Sequence, residues 1–472
     1  MGTIVPRLLN YLLLTPFFTR VFDKSEYGSV VILYSYLAFL LVFLSYGMET
    51  TFFRFSESED NKDKVYSTAN WSMLISTVPF LILVLVFTQD IATWIEYQAN
   101  PNFILWIALI VSIDVFFSIS FAKLRQQDKA LRFTLIKLTN VIVNIGLIFL
   151  FLKVFKSAYD SDPQSSLAQY YNPKIGVGYV LIANLISSGV VGILLLPEII
   201  RSKWNFDKEL WKKMMRYALP LLVVGLAAMI NEVADKLFLK YLLSDSQNPM
   251  EQVGIYGANY KLAVLMTLFI QMFKYAAEPF FFKQAKEKDA KESYALIMKY
   301  FVIFGISIFL GVNFFLDWIK NFIGSEFHEG LKVVPIVLMA NLFLGIYYNL
   351  SVWYKLTNKT QLGAAVSIVG AVVTLLINFI FIPKYGYMAS AWATFAAYGT
   401  MMLLSWLWGK KYYPINYPIA RILFYFVFSL ILFVASKTIN FPNSIAQNGF
   451  AMVLLSAFIA TAFLLERKSF KF

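Results

Sequence analysis

The chain has 472 residues, 59% of them hydrophobic and only 15% charged. A soluble fold of this size has no interior large enough for so much apolar surface, so the composition specifies an integral membrane protein. The net charge of +13 does not point to nucleic acid, because the basic residues are spread over short segments between apolar runs. The absence of cysteine excludes disulfides, thiolate metal sites and cysteine nucleophiles, and the single histidine, His328, is expected in a loop and leaves little room for a metal cluster.

In chain order the hydropathy predicts an all-α integral membrane protein of about 14 transmembrane helices. The first covers residues 4–22; with no small-residue cleavage site behind it, it reads as a span rather than a signal peptide. The next five cover 29–53, 71–87, 103–121, 133–152 and 175–196. After a basic stretch come 217–237, 255–282, 294–316, 333–354, 361–382, 388–408, 419–434 and 449–465. Trp94, Trp106, Trp204, Trp211, Trp318 and Trp408 fall near span ends, as an interfacial belt requires. Loops after even-numbered spans, with the tail, hold more than twice as many Lys and Arg residues as the other loops. The positive-inside rule then places both termini in the cytoplasm.

The eighth span carries Lys261, Lys274 and Glu278, and it is written twice in the chain. A displacement of 229 residues lays Tyr46, Glu49, Phe52, Phe53 and Arg54 on Tyr275, Glu278, Phe281, Phe282 and Lys283. A displacement of 230 lays Arg125 and Lys129 on Lys355 and Lys359. Shared apolar letters mean little in so apolar a chain; a coincident glutamate and coincident cations mark an internal duplication. The shift crosses six predicted helices, an even number, so both halves enter the membrane in the same direction. The expected architecture is two parallel-repeat six-helix lobes, 1–197 and 217–410, joined by a cytoplasmic basic linker, 198–216, with two accessory transmembrane helices in 411–472.

Several short motifs carry a family resemblance. They are Arg20-Val21-Phe22 with Glu26-Tyr27-Gly28, Tyr46-Gly47-Met48-Glu49 with Arg54, Ala234-Asp235-Lys236, Gly254-Ile255-Tyr256 with Tyr260-Lys261-Leu262, Glu278-Pro279, and Gly386-Tyr387. With the span order, they resemble the polysaccharide transporter (O-antigen and lipid-linked oligosaccharide flippase) family of the multidrug/oligosaccharidyl-lipid/polysaccharide exporter superfamily. The likeness covers nearly the whole chain and rests mostly on hydropathy and span order. The chain starts almost directly on its first span, so family contacts from a preceding segment are expected to be absent or shortened.

The resemblance implies a transporter rather than an enzyme, set in the bacterial inner membrane and serving O-antigen, capsule or lipopolysaccharide assembly. Its substrate would be an undecaprenyl-pyrophosphate-linked oligosaccharide, flipped from the cytoplasmic to the outer leaflet by alternating access. It implies no bound cofactor, the drive being a proton or sodium gradient or the membrane potential. Its partners would be the lipid-linked glycan, the bilayer and the polysaccharide polymerase machinery, with no nucleic acid. The alternatives are a lipid II-type peptidoglycan precursor flippase and a cation or drug antiporter of the same superfamily. A membrane glycosyltransferase or polymerase would need carboxylate or His/Arg constellations in a large outer loop, and the polar stretch 153–174 has none. No glycine-rich phosphate loop appears, so direct ATP drive is not expected.

Cations suit a pyrophosphate, and aromatic or amide groups suit sugar. The substrate-binding candidates are therefore Lys261, Arg7, Arg54, Lys274, Tyr260 and Asn259, with Lys137, Tyr256, Asn231 and Gln271 nearby in sequence. Lys261 lies about two turns inside its span, where an ammonium lines a pathway or snorkels to the interface. The candidates for gating or ion coupling are Glu49, Glu278, Asp114, Glu232 and Asp235. Glu49 and Glu278 are repeat-related, and their i,i+5 cations Arg54 and Lys283 point about 140° away on the helix. Asp114 sits mid-span without a cation four residues away. Glu232 precedes Lys236 in the favourable i,i+4 order, so the two are expected to neutralise each other.

The basic asymmetry gives a direct test of topology. In this cysteine-free chain, Asn61→Cys should resist an impermeant thiol reagent added outside the cell, whereas Gln164→Cys should label. The reverse pattern would show that a span is miscounted.

Overall fold

The computed structural model describes residues 4–285, 287–439 and 441–467. Lys286, Lys468 and Lys471, which contribute to the basic asymmetry, lie outside the described residues. The chain divides into two compact units, Met1–Met229 and Ile230–Phe472. The first contains α1 (Ile4–Val21), α2 (Lys24–Ser45), α3 (Met48–Ser58), α4 (Lys62–Val86), α5 (Thr88–Trp94), α6 (Asn102–Gln126) and α7 (Ala130–Phe149). It continues with α8 (Lys156–Ser161), α9 (Gly178–Ile200) and the start of α10 (Lys208–Leu242), inside which the boundary falls. The second unit holds the rest of α10, α11 (Pro249–Leu262), α12 (Val264–Gln284), α13 (Ala290–Phe314), α14 (Leu316–Ile319) and α15 (Val334–Leu350). It ends with α16 (Val352–Leu356), α17 (Thr360–Tyr385), α18 (Tyr387–Tyr412), α19 (Ile419–Thr438) and α20 (Ser444–Glu466). No strand occurs among the described residues.

Eleven of these segments are long and apolar enough to cross a membrane, and twelve if the bent pair α11–α12 is one span. The protein is thus a multi-pass membrane protein. The expected count of fourteen is not confirmed: α1 and α18 are helices of 18 and 26 residues, but neither is among those segments. Polar letters explain the difference, since α1 carries Arg7, Asn10 and Arg20, and the uncharged run of α18 is diluted by Ser390, Trp392, Thr394, Tyr398, Gly399 and Thr400.

Within the first unit α6 is the central helix, packed on α4 and α9, and its Ile110, Val111, Ile119 and Leu124 are fully buried. In the second, α15 packs on α13 and α18 and buries Val337, Leu338 and Leu342. The outward sides carry large apolar residues such as Ile142, Ile193, Phe304, Phe379 and Val453, the surface that lipid covers. Several buried amides spend a hydrogen on their own helix. Asn70, Asn313 and Asn378 each donate to the carbonyl four residues back, at 2.8–3.0 Å. Hydrocarbon offers no water for that bond, so it has to come from the chain itself.

The duplication is visible in the backbone. At the end of α6, Asp128 is left-handed at φ 55°, and Lys129 N–H donates to the Leu124 carbonyl at 2.9 Å. At the end of α16, Asn358 is left-handed at φ 54°, and Lys359 N–H donates to the Tyr354 carbonyl at 2.8 Å. Both are Schellman closures, in which a left-handed residue lets the chain satisfy the last helix carbonyls and turn away. They fall 230 residues apart, in the register of the charged matches.

The duplicated spans are interrupted, and at different places. Between α2 and α3, Tyr46 and Gly47 are both left-handed, at φ 34° and 74°. A Cβ on Gly47 would lie 2.7 Å from the Leu221 Cβ, so glycine is required for space as well as for backbone angle. The Tyr46 hydroxyl anchors the turn on the Ser72 carbonyl at 2.9 Å. The second copy is helical at Tyr275 and breaks instead at Ala263, where α11 and α12 meet at 52°. The span over 255–282 is therefore not the continuous helix expected, and no proline or glycine in the sequence marks its break.

The last two helices dock through a buried charge. Glu466, 1% exposed, pairs with Lys299 of α13 and with Arg421 of α19 at 3.2 Å, and accepts from the Tyr425 hydroxyl at 2.8 Å. Removing one partner of such a pair strands a buried charge at a cost of about 3–5 kcal/mol, whereas an apolar replacement of both is near neutral. Glu466→Ala should therefore lower the thermal midpoint of the purified protein by several degrees. Combining Lys299→Met with Glu466→Met should recover most of it.

Candidate functional site

The repeated charged letters meet each other in three dimensions. In the first unit Glu49, at the start of α3, pairs with Arg125 in the last turn of α6. The Arg125 guanidinium also lies 4.8 Å from the centre of the Phe53 ring. In the second unit Glu278 of α12 pairs with Lys355 of α16, Oε1 to Nζ 2.7 Å. Glu49 matches Glu278 and Arg125 matches Lys355 in the duplication, so each unit holds the same carboxylate–cation bridge. The sequence shows the four letters but not their pairing, because the partners lie 76 and 77 residues apart. Both bridges are partly exposed, and exposed pairs contribute only about 0.2–1 kcal/mol each. They are weak enough to exchange partners.

Beside the second bridge lies a small open cavity of about 20 Å³ lined by Lys274, Glu278, Lys355, Tyr348, Phe273 and Phe282, among others. The exposed Lys274 ammonium sits 4.8 Å from the centre of the Tyr348 ring. The pocket thus offers two cations, one carboxylate and an aromatic wall. Arg125, Lys355 and Tyr348 were not among the sequence candidates. The repeat had marked both cations, and only their distance in sequence hid the role.

Other charged candidates gather around the first bridge. The groups in electrostatic reach of Lys137 are Asp114, Glu49, Arg125 and Arg7. Asp114 is half-buried on α6 with Ser188 of α9 beside it, and the Lys137 ammonium is 4.0 Å from the centre of the Phe121 ring. The lone carboxylate of the sequence reading therefore has polar neighbours from α7 and α9. Arg54 lies apart from this group, with its guanidinium stacked 4.2 Å over the Tyr217 ring.

A second cluster forms in the other unit on α10 and α11. Asp235 is buried and pairs with Lys236 at 2.9 Å. Lys236 also donates to the Glu232 backbone carbonyl at 2.8 Å, and its ammonium lies 4.9 Å from the centre of the Tyr260 ring. The expected i,i+4 side-chain pair of Glu232 with Lys236 is thus replaced by a pair with the adjacent aspartate. The Glu232 residue stays exposed. Glu232 and Lys236 are the charged groups in reach of Lys261, which is exposed in the last turn of α11, just before the break. A lysine there suits the free carbonyls of a helix C-terminus. Tyr260 stands next to Asn341 and Tyr398 and edge-on to Tyr256 at 5.8 Å.

Asn259 is placed differently. It is fully buried and gives its amide hydrogens to the Ile255 and Phe327 carbonyls, at 2.8 and 2.7 Å. It fastens the 3₁₀ segment Ser325–Val333 onto α11. Among the described residues no group of three or more His, Asp or Glu side chains is arranged to hold a metal ion.

The repeated bridge predicts a symmetric mutational pattern. Glu278→Lys alone should impair transport, and adding Lys355→Glu should restore much of it by reversing the pair. The same exchange of Glu49 with Arg125 should behave alike in the first unit. Failure of rescue in both, with protein levels in the membrane unchanged, would show that the two pairs do not act as pairs.

The comparisons with known proteins agree with these observations. Residues 1–285 match the family model described as polysaccharide biosynthesis protein. No curated protein matches the chain. A solved structure described as the lipid II flippase MurJ in an inward closed conformation superposes with a TM-score of 0.71 at 16% identity, covering 100% of this chain and 99% of that one. An inward-facing multidrug resistance MATE family transporter of the MOP superfamily gives 0.64 at 14% identity, covering 87% and 94%. At such identities the likeness is one of fold, and the proteins that share it are transporters. The chain belongs to the polysaccharide biosynthesis protein family.

Proposed function

We propose that the protein flips an undecaprenyl-pyrophosphate-linked oligosaccharide between membrane leaflets by alternating access, its two repeat-related lobes forming the moving halves. The observation that carries this reading is the match of more than half the chain to the polysaccharide biosynthesis family. The cation set supports it chemically: Lys261, Lys274, Arg7 and Arg54 are the groups to meet a pyrophosphate, while Tyr260 and its tyrosine neighbours suit sugar. The polyprenyl tail can remain in lipid, so the protein has only to shelter the polar head. In this reading the bridges Glu49–Arg125 and Glu278–Lys355 are gate elements, and Asp114, Glu232 and Asp235 are the coupling carboxylates. The termini face the cytoplasm of a bacterial inner membrane, and α19 and α20 are accessory.

A lipid II-type flippase is the second reading, favoured by the fold likeness to such a protein over the whole chain. Both substrates carry a polyprenyl pyrophosphate, so the cation chemistry serves either. Deleting the gene separates them by which lipid-linked intermediate accumulates on the cytoplasmic side. Raised sensitivity to cationic dyes with normal glycans would instead support an antiporter.

Lys261 provides the residue-level test. Lys261→Ala and Lys261→Glu should abolish flipping with membrane insertion intact, and Lys261→Arg should retain part of it. The purified variants lacking the cation should bind the pyrophosphate lipid at least tenfold more weakly, and wild-type binding should decline with salt. Normal transport by Lys261→Glu would remove Lys261 from the head-group site.

A further inference from the structure

The charged stretch that joins α9 to α10 has no part in the transport reading. Residues 198–216 hold six cations and three carboxylates. Each carboxylate is engaged: Glu198 with Arg132, Asp207 with Lys64, and Glu209 with Lys212. That leaves Arg201, Lys203, Lys208, Lys213 and Arg216, all exposed and with no carboxylate partner among the described residues.

The surface that bears these cations is held in shape. Asn205 N–H donates to the Ser67 hydroxyl at 2.6 Å and Asp207 N–H to the Thr68 hydroxyl at 3.3 Å. The Trp211 indole N–H donates to the Ser72 hydroxyl at 2.8 Å, so α4 supports the whole segment. Asp207 caps α10 by accepting the Leu210 N–H at 2.9 Å, and that bond together with Lys64 holds its carboxyl below the usual carboxylate range. Exposed apolar groups lie among the cations: Trp204 is 40% exposed, Phe206 38% and Ile200 70%. Ile200 is the last residue of the membrane helix α9 and Trp204 and Phe206 follow it directly, so the segment stands at the level of lipid head groups.

We propose that residues 200–216 form a binding surface for anionic phospholipid head groups, in which the five unpaired cations meet lipid phosphates while Trp204, Phe206 and Ile200 seat in the interface. Charge complementarity and position select this occupant. Basic residues beside a membrane helix are attracted to an anionic leaflet, and aromatic side chains settle at head-group depth. A free inorganic anion would gain from the charge but has no use for the exposed rings. A soluble polyanion would have to compete with lipid already in contact with α9.

The test uses the full chain in detergent, titrated with phosphatidylglycerol or phosphatidylcholine and read as bound lipid by native mass spectrometry. Wild-type protein should prefer phosphatidylglycerol at least tenfold, and the preference should shrink as salt rises. Neutralising Arg201, Lys203, Lys208, Lys213 and Arg216 to Gln should abolish the preference. Neutralising Lys153, Lys156 and Lys174 in the other polar loop should leave it unchanged. Trp204→Ala with Phe206→Ala should weaken phosphatidylglycerol binding severalfold without touching a charge, and inorganic phosphate at millimolar concentration should not displace the lipid. Equal binding of the two lipids by wild-type protein would overturn the proposal without recourse to any variant. So would an undiminished preference in the five-fold variant, or full displacement by inorganic phosphate.

Discussion

A charge carried into a membrane needs a partner or water, and the arrangement of this protein follows from that requirement. An isolated ion in hydrocarbon is penalised by several kcal/mol, and the attraction between opposite charges grows as the surrounding dielectric falls. Glu466 is paired on two sides, Asp235 takes the neighbouring Lys236, and Glu198 takes Arg132. Glu49 and Glu278 each reach a cation on another helix of their own unit. Where the partners lie on different helices, the pair adds to apolar burial in holding those helices together. The buried pair at Glu466 fastens helices permanently, whereas the partly exposed bridges at Glu49 and Glu278 are weak enough to change hands.

The duplication gives those bridges their interest. A carrier built from two copies of one unit inherits the same polar contacts twice, and this chain retains a carboxylate, a cation and a left-handed helix closure in matching register. The copies have diverged where the helix bends. The first yields at Tyr46–Gly47, and the second yields at Ala263, next to Lys261. In the second copy the bend falls beside the lysine to which the proposed function gives the head-group contact. A break of this kind is tolerated in a membrane where the backbone lines a polar space or is covered by protein.

Much of this was legible in the sequence because hydropathy, charge and repetition are one-dimensional signals. The all-helical membrane fold, the duplication and the marked residues Glu49, Glu278, Arg125 and Lys355 could be read directly. What could not be read depended on distance or on geometry without a letter. The bridges join residues more than seventy positions apart. The bend at Ala263 has no proline or glycine, α1 dilutes its apolar run with Arg7 and Arg20, and α18 dilutes its own with Ser390, Trp392, Thr394 and Tyr398. Local spacing also misled: i,i+4 geometry favoured Glu232 for Lys236, but the buried Asp235 needs the charge more and takes it. Asn259 was marked for sugar by its amide, although both of its hydrogens hold backbone carbonyls.

The central claim is that the protein itself moves a lipid-linked glycan across a bilayer. The direct measurement is translocation in proteoliposomes containing only the purified chain and an undecaprenyl-pyrophosphate oligosaccharide, followed by the accessibility of the sugar to an enzyme confined to one side. The account predicts protein-dependent exposure of the glycan that exceeds the rate in empty vesicles and is not matched by lipid II or a cationic dye. Translocation of lipid II or dye with the oligosaccharide lipid remaining in its original leaflet would contradict it.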